Sequence, residues 1–251
     1  MTDTAFDEVQ AALDRGDHEA VLRMTDAILA ERPGDDAAHE LRARALLAQG
    51  RVDEAERHAS DAVRIDPDEI RYRELLAEVL SRGGAHRDAA DEFGRLARND
   101  PRSSEWTLAE AKERLGAAQP EMSVEAARRA VQLDRGNADA QLALSQALAR
   151  TGDVRGALLA AQVAAELLPG DPAAREALAD ARWLADEDAA ALAEFRALAN
   201  ELEGADRERV TEKARRLYRQ HAGPIGRLVA GIRPLFDLAW RNGWLRLGEA
   251  R

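Results

Sequence analysis

The five histidines, His18, His39, His58, His86 and His221, are the first residues that could bind a metal ion. No two of them are four residues apart, the spacing that places two imidazoles on one face of a helix as metal ligands. His39 and His58 could meet if their segments form one helical hairpin, but we expect no carboxylate or cysteine to complete a ligand set. The histidines are therefore interpreted as packing or surface residues, and no metal site is predicted.

The sequence lacks the elements that usually carry catalysis. It contains no glycine-rich phosphate loop, no G-x-S-x-G element and no cysteine. Its 47 acidic residues form many carboxylate pairs, none of which is in a distinctive setting. We therefore predict that the chain is not an enzyme and needs no cofactor.

The charge of the chain is unevenly distributed. The formal net charge is −11, with about +6 carried by residues 205–251 and about −17 by residues 1–204. An acidic body repels phosphates, so no nucleic-acid partner is expected. Residues 1–8 lack an apolar signal-peptide region, and no stretch of about 18 uncharged apolar residues occurs. These features predict a cytoplasmic protein.

Glycine and proline recur with one common period of 34 residues. The glycines of this series are Gly16, Gly50, Gly84 and, two periods later, Gly152. The prolines follow 17 residues behind and are Pro33, Pro67, Pro101 and Pro169. Each glycine separates two helical patterns and each proline follows the second pattern, which it cannot continue. The unit is thus a helical hairpin that must stack on its neighbours to bury its apolar face.

This pattern resembles the tetratricopeptide repeat (TPR) family, whose unit of 34 residues has small side chains at positions 8, 20 and 27 and proline at position 32. With Pro67 at position 32, a repeat starts at Asp36. Position 8 then holds Val9, Ala43, Ala77, Ala111, Ser145 and Ala179. Position 20 holds Val21, Ala55, Ala89, Ser123, Ala157 and Ala191, and position 27 holds Ile28, Ala62, Leu96, Ala130, Ala164 and Leu198.

Three repeats depart from the family pattern. In the first, Ala20 and Ala27 fall one place early, which predicts a shortened turn between the two helices. The fourth has no turn glycine and instead reads Ala-Ala-Gln-Pro over residues 117–120. The sixth has lost both the turn glycine and the terminal proline, and it is also the last repeat, where solenoids are often atypical.

The resemblance implies an all-α, right-handed solenoid of about six helical hairpins, followed by a capping helix and short apolar tail helices. The predicted repeats span residues 2–35, 36–69, 70–103, 104–137, 138–171 and 172–205. Residues 206–222 are predicted to form the capping helix, with Asp206 as its N-cap. Residues 223–251 form a basic, tryptophan-containing C-terminal segment.

The resemblance also implies a groove along the first helices of the hairpins that holds a segment of a partner protein. The predicted groove residues are Glu40, Arg44, Glu74, Glu78, Arg82, Leu108, Lys112, Leu142, Gln146 and Arg150. Glu176 and Asp180 extend this surface, so both of its ends are expected to be acidic. The mixture of arginines and leucines suits a partner segment with a few acidic residues and some apolar anchors. Ordinary solvated helix faces are the competing interpretation.

The C-terminal segment leaves three interpretations open. Its predicted contact residues are Phe236, Trp240, Arg241 and Trp244. The segment packs on the last hairpins as a cap, docks into a partner or a second copy of the chain, or lies in a membrane interface. The favoured function is a non-catalytic scaffold or adaptor that binds a partner in the groove. The alternative is a membrane-peripheral assembly protein anchored through this segment.

Overall fold

The computed structural model describes residues 3–221, which form thirteen α-helices and no strand. The predicted all-α fold of successive helices is confirmed for these residues. The first unit, residues 1–153, contains nine helices: α1 (Asp3–Asp14), α2 (His18–Glu31), α3 (Asp36–Ala48), α4 (Val52–Ile65), α5 (Ile70–Arg82), α6 (His86–Asn99), α7 (Ser104–Gly116), α8 (Pro120–Leu133) and α9 (Ala138–Thr151). The second unit starts at Val154 and contains α10 (Val154–Leu167), α11 (Pro172–Leu184), α12 (Asp188–Glu201) and α13 (Gly204–His221).

The turn inside each hairpin contains one residue with positive φ, and these residues recur every 34 positions. They are Gly16, Gly50, Gly84, Ala118, Gly152 and Asp186. In each turn the next amide donates to a carbonyl five residues back, as Arg51 does to Leu46 and Gln119 to Arg114. This is the Schellman arrangement that satisfies the last carbonyls of a helix. The fourth and sixth repeats thus keep the turn geometry although they have lost the glycine.

The first helices of the second to sixth hairpins share a second periodic feature, their N-caps. These are Asp35, Glu69, Ser103, Asn137 and Asp171, again 34 residues apart. Each side chain accepts a hydrogen bond from a backbone amide of the first turn, which would otherwise lack a partner. Four residue types fill this role, so the series is less apparent in the sequence than that of the glycines.

The small residues of the repeat frame lie in the cores between helices. Ala43, Ala55, Ala62, Ala77 and Ala89 have no exposed surface. In the first repeat the same frame positions are filled by Val21, which is fully buried, and Ile28, which is 4% exposed. The predicted shortening of its turn is wrong, because three residues link α1 to α2 as three link α3 to α4. The larger side chains replace the alanines without a change of register.

The second unit has a core of its own. Ala179, Ala191, Phe195 and Leu198 pack with one apolar face of α13. The residues of that face are Val210, Ala214 and Leu217. The helix begins at Gly204, so Asp206 lies in its first turn rather than at the N-cap, where a carboxylate still favours the positive end of the helix dipole.

Candidate functional site

The first helices of the first unit present one row of polar side chains, which we call the first-helix face. α1 contacts α3, α3 contacts α5, and α7 contacts α9. The indole Nε1 of Trp106 on α7 donates to Glu74 on α5 over 2.9 Å, which links these two helices as well. The face is defined by the predicted groove residues Glu40, Arg44, Glu74, Glu78, Arg82, Leu108, Lys112, Leu142, Gln146 and Arg150, with Arg71, Trp106 and Asp139 beside them.

Glu40 anchors the cationic part of the first-helix face. Its side chain is 7% exposed and accepts from Arg44 Nε over 2.7 Å, and a terminal nitrogen of Arg71 lies 4.0 Å away. The Arg71 guanidinium also lies over the ring of Tyr72, 5.0 Å from its centroid. The Tyr72 hydroxyl donates to Asp36, and burial raises the pKa of Tyr72 to about 12. About half of each guanidinium side chain stays exposed, so both remain accessible to an anionic group.

Most other charges on this face are already paired. Arg82 forms an ion pair with Glu78 one turn earlier, over 2.7 Å. Lys112 pairs with Asp139 of the next first helix, over 3.0 Å. Because these pairs are at least half exposed, solvent screens them and each contributes little to stability. They set a pattern of alternating charge along the face.

The apolar and remaining polar residues of the face differ in accessibility. Leu108 is only 9% exposed and belongs to the core cluster with Ala111 and Ala127, so it offers a partner little surface. Leu142 is half-buried, and Gln146 and Arg150 are exposed. Leu142 is therefore the more accessible of the two predicted apolar anchors.

In the second unit, α13 compensates the two acidic residues that the sequence places at one end of the groove. Glu176 is 7% exposed and accepts from Arg209 and from Lys213, the latter over 2.7 Å. The ammonium of Lys213 also lies 2.5 Å from Asp180, whose pKa burial raises. Glu176 and Asp180 are therefore engaged by α13 and do not form a free acidic surface.

His39 and His58 do meet, and the expectation that no carboxylate would stand beside them is wrong. Their Nδ1 atoms are 2.9 Å apart, and Asp61 lies 3.9 Å from Nδ1 of His39. All three ligand atoms fall within 4.8 Å of one another, close enough to be tested as a metal site. A sequence signal existed, because Asp61 follows His58 by three residues on the same helix.

The hydrogen bonds of the pair argue against a metal ion. Arg42 Nε, which can only donate, lies 3.0 Å from Nε2 of His58, so the ring proton of neutral His58 is on Nδ1. Nε2 of His39 lies 3.0 Å from the carbonyl of Pro33 and carries its proton there, which leaves its Nδ1 to accept from His58. A metal on both Nδ1 atoms would force the His58 proton toward the Arg42 donor. Burial and Arg42 lower the pKa of His58 to about 4, consistent with a neutral imidazole in a structural role.

Several residues that shape the first-helix face were missed at the level of sequence. Trp106 and Tyr72 occupy the same repeat position, 34 residues apart, and each contacts an acidic residue of the preceding first helix. That shared spacing is the signal that could have identified them. The predicted tail residues Phe236, Trp240, Arg241 and Trp244 lie outside the residues that the structure describes.

Two family models of the tetratricopeptide repeat match the chain, over residues 12–79 and over residues 108–172. The chain is a tetratricopeptide repeat protein. The matched segments include α3, α4, α8 and α9, so they contain the regular second repeat and most of the fourth, whose turn lacks glycine. No curated protein matches the chain in sequence.

Solved structures of other TPR proteins share the fold. A tetratricopeptide repeat protein from Parabacteroides merdae is 15% identical, with a TM-score of 0.70 over 85% of this chain and 89% of that one. MamA from Desulfovibrio magneticus is 19% identical, with a TM-score of 0.59 over 67% and 96% of the two chains. YrrB, described as a TPR protein with an unusual peptide-binding site, is 17% identical, with a TM-score of 0.56 over 70% and 91%. Such identities show the fold alone.

The TPR fold is in general a non-catalytic module for protein–protein interaction, and this assignment gives the chain a scaffold architecture. None of the helices within residues 3–221 is long and apolar enough to cross a membrane.

Proposed function

We propose that the chain is a non-catalytic scaffold whose first-helix face binds an extended segment of a partner protein. The observation that carries the proposal is the arrangement of exposed charged side chains on successive first helices, linked from α3 to α9 by contacts between neighbouring helices. A surface of this kind is extended rather than pocket-like, which suits a peptide better than a small molecule.

The chemistry of the face defines the partner segment. Arg44 and Arg71 flank the nearly buried Glu40, and Arg71 also lies 3.7 Å from Glu69, so this end of the face presents two half-exposed guanidiniums beside these carboxylates. An acidic side chain of the partner would form charge-assisted hydrogen bonds there. Toward α9 the alternation of Lys112 with Asp139 and the half-buried Leu142 suit a mixed, partly apolar sequence. The proposed ligand is therefore a segment with acidic residues at one end and an apolar anchor at the other.

The proposal can be tested by exchanging the two members of an ion pair, which reverses the charges on the surface but keeps the pair. Glu78→Arg with Arg82→Glu, combined with Lys112→Asp and Asp139→Lys, keeps the net charge and both ion pairs but inverts the pattern that a ligand meets. Peptides would be selected from a displayed random library on the full chain and their affinities measured by fluorescence anisotropy. We expect the swapped variant to bind the selected peptides at least tenfold more weakly, since complementary charge determines specificity.

The matched control is Arg51→Glu with Glu54→Arg, a swap of an exposed pair at the start of α4, outside the first-helix face. It should leave the affinities within about twofold, as expected for a charge pair remote from the ligand. Failure to enrich any peptide, or equal loss of affinity in both variants, would overturn the proposal.

A second candidate, the membrane-peripheral assembly protein, is favoured by the basic, tryptophan-containing sequence of residues 223–251. Flotation of the full chain with vesicles that contain anionic lipid, beside a variant that ends at Gly223, tests this role. Equal flotation of the two forms would contradict it.

A further inference from the structure

One helix of the second unit carries an exposed apolar stripe. Leu159, Val163 and Leu167 follow one another at four-residue spacing on α10 and are 63%, 37% and 39% exposed. The opposite side of the same helix is buried through four alanines, Ala157, Ala160, Ala161 and Ala164. The larger side chains therefore face solvent while the smallest ones face the core, the reverse of an ordinary amphipathic helix.

This stripe stands apart from the other exposed apolar residues of the first and second units. Within residues 6–220, the large hydrophobic residues exposed on other helices are Ile70 on α5, Leu184 on α11, and Met122 and Leu133 near the two ends of α8. Single exposed hydrophobic residues are normal, whereas a row of three on one face indicates a contact surface.

A charge beside the stripe adds a second feature. Glu166 is exposed in the last turn of α10, a turn with no basic residue, and no ion pair of Glu166 occurs among the described side chains. A carboxylate at a helix C-terminus adds to the negative end of the dipole. A cation brought next to Glu166 would relieve this repulsion, so the stripe favours an apolar occupant that carries arginine.

The size of the stripe favours an occupant tethered to the same chain. Three partly exposed aliphatic side chains offer at most a few hundred Å². A stable complex between separate proteins needs roughly 800 Å² on each partner. A tethered segment needs far less, because its effective concentration is on the order of millimolar.

We propose that residues 234–247 of the same chain dock on the α10 stripe. In that segment Phe236, Trp240 and Trp244 recur at the four-residue spacing of the stripe, after Pro234, a residue suited to the first turn of a helix. A helix of this segment would set its aromatic ridge against Leu159, Val163 and Leu167, with Arg241 available to Glu166. The contact joins two apolar surfaces and places a cation at the α10 C-terminus.

The connection is long enough for this contact. α10, α11, α12 and α13 pack in succession, and neighbouring helices lie roughly 8–10 Å apart, so the axes of α13 and α10 are separated by at most about 30 Å. The twelve residues 222–233 span up to about 40 Å when extended. The segment can therefore reach the stripe from the end of α13.

Cross-linking of paired cysteines tests the proposal, because the chain has no cysteine of its own. The full-length variant Val163→Cys with Gly243→Cys would be treated with a short bis-maleimide, and cross-linked monomer quantified by mass spectrometry. Both tryptophans of the ridge are retained. The matched control is Leu184→Cys with Gly243→Cys. Leu184 is 48% exposed and follows Trp183, whose indole nitrogen lies 3.2 Å from Gln220, so it is close to where the segment leaves α13.

If the segment had no preferred site, its cysteine at position 243 would cross-link faster to position 184, because position 184 is nearer to the end of α13. We expect the Val163 pair to react at least tenfold faster than the Leu184 pair, independently of protein concentration. The added substitution Leu159→Lys should abolish this difference. Because Leu159 is 63% exposed, the substitution should not disturb folding, so a loss of the difference would report on the contact itself. Equal rates, a faster Leu184 pair, or cross-linked dimers as the main product would overturn the proposal, the last in favour of a second copy as the occupant.

Discussion

At the scale of single residues, the backbone of the turns is more regular than their sequence. Ala118 adopts φ 55° at a position where four of the six repeats have glycine. The left-handed conformation costs about 1–2 kcal/mol for a residue with a Cβ, and glycine avoids this strain. Glycine also loses more conformational entropy on folding than alanine does, which costs about 0.5–1 kcal/mol. We predict that Ala118→Gly raises the free energy of unfolding by about 0.5–1 kcal/mol, measured by urea denaturation.

The neighbouring Ala117 provides the control for this prediction. Its φ is −75°, an ordinary right-handed value, so Ala117→Gly adds flexibility without relief of strain. It should lower the free energy of unfolding by about 0.5–1 kcal/mol. If both glycine variants were destabilised alike, the strain assigned to Ala118 would be wrong.

His58 should make the stability of the protein depend on pH. Burial, Arg42 and His39 lower its pKa to about 4, whereas an unfolded histidine titrates near 6.5. Between these values the unfolded chain binds the proton and the folded chain does not. Stability contributed by neutral His58 is therefore complete above pH 6.5 and is lost as the pH falls toward 4.

The change is expected to reach about 2 kcal/mol between pH 7 and pH 4.5, with allowance for solvent at this partly buried ring. His58→Gln stays neutral, so the stability advantage of the wild type over this variant should shrink by that amount. Contributions from groups that are the same in the two proteins cancel in the difference. An unchanged advantage at pH 4.5 would show that folded His58 takes up a proton as readily as unfolded histidine does, and would contradict the lowered pKa.

The residue scale also shows why some of the fold was predictable and some was not. The glycine and proline series were visible in the sequence because the same residue type recurs at the same structural position in most of the repeats. The N-caps Asp35, Glu69, Ser103 and Asn137 repeat a role with four residue types, so a search for identical residues does not find them. Asp186 shows the same limit, because it keeps the turn conformation of the glycines without their identity.

At the scale of helices, α13 neutralises the acidic surface of α11. Glu176 is nearly buried and depends on Arg209 and Lys213 for its charge compensation. A buried charge left without a partner is strongly destabilising. We predict that Arg209→Ala with Lys213→Ala lowers the free energy of unfolding by about 2–3 kcal/mol, measured by circular dichroism in urea.

Glu176→Gln distinguishes lost charge compensation from lost packing. In the background of the two alanines it should restore at least half of the lost stability, because a neutral amide is cheaper to bury than a carboxylate. Arg219→Ala serves as the control, since Arg219 pairs with the exposed Glu212 and should cost less than about 0.5 kcal/mol. If Glu176→Gln restored none of the lost stability, the destabilisation by the two alanines would be due to lost packing rather than to lost charge compensation.

The candidate site was predictable only to the level of helices. The repeat frame identified which helices carry the first-helix face, but not which charges on it are available. Glu176 and Glu40 both appeared as open acidic positions, and both are nearly buried against cations. Part of this pairing comes from residues on the next first helix or on α13, as with Arg71 for Glu40 and Lys213 for Glu176. The 34-residue period does not specify which side chains meet across helices in this way.

At the scale of the whole molecule, the chain divides at Asp153 into two compact units. The first unit contains the clusters around Leu46 and Ala111, and the second contains the cluster around Phe195. In a stack of repeats each hairpin is stabilised mainly by its neighbours, so a defect in one core should act locally. The unfolding of each unit can be followed by the fluorescence of a tryptophan of its own, Trp106 on α7 in the first unit and Trp183 on α11 in the second.

Phe195→Ala is the substitution that tests this locality. Phe195 is fully buried and packs edge-on against Trp183, so its truncation should cost about 3–5 kcal/mol. With Trp240 and Trp244 replaced by phenylalanine, two further versions retain only Trp106 or only Trp183. We expect Phe195→Ala to lower the urea midpoint reported by Trp183 substantially and to leave the midpoint reported by Trp106 nearly unchanged. Equal shifts of the two midpoints would show instead that all the repeats unfold as one cooperative body.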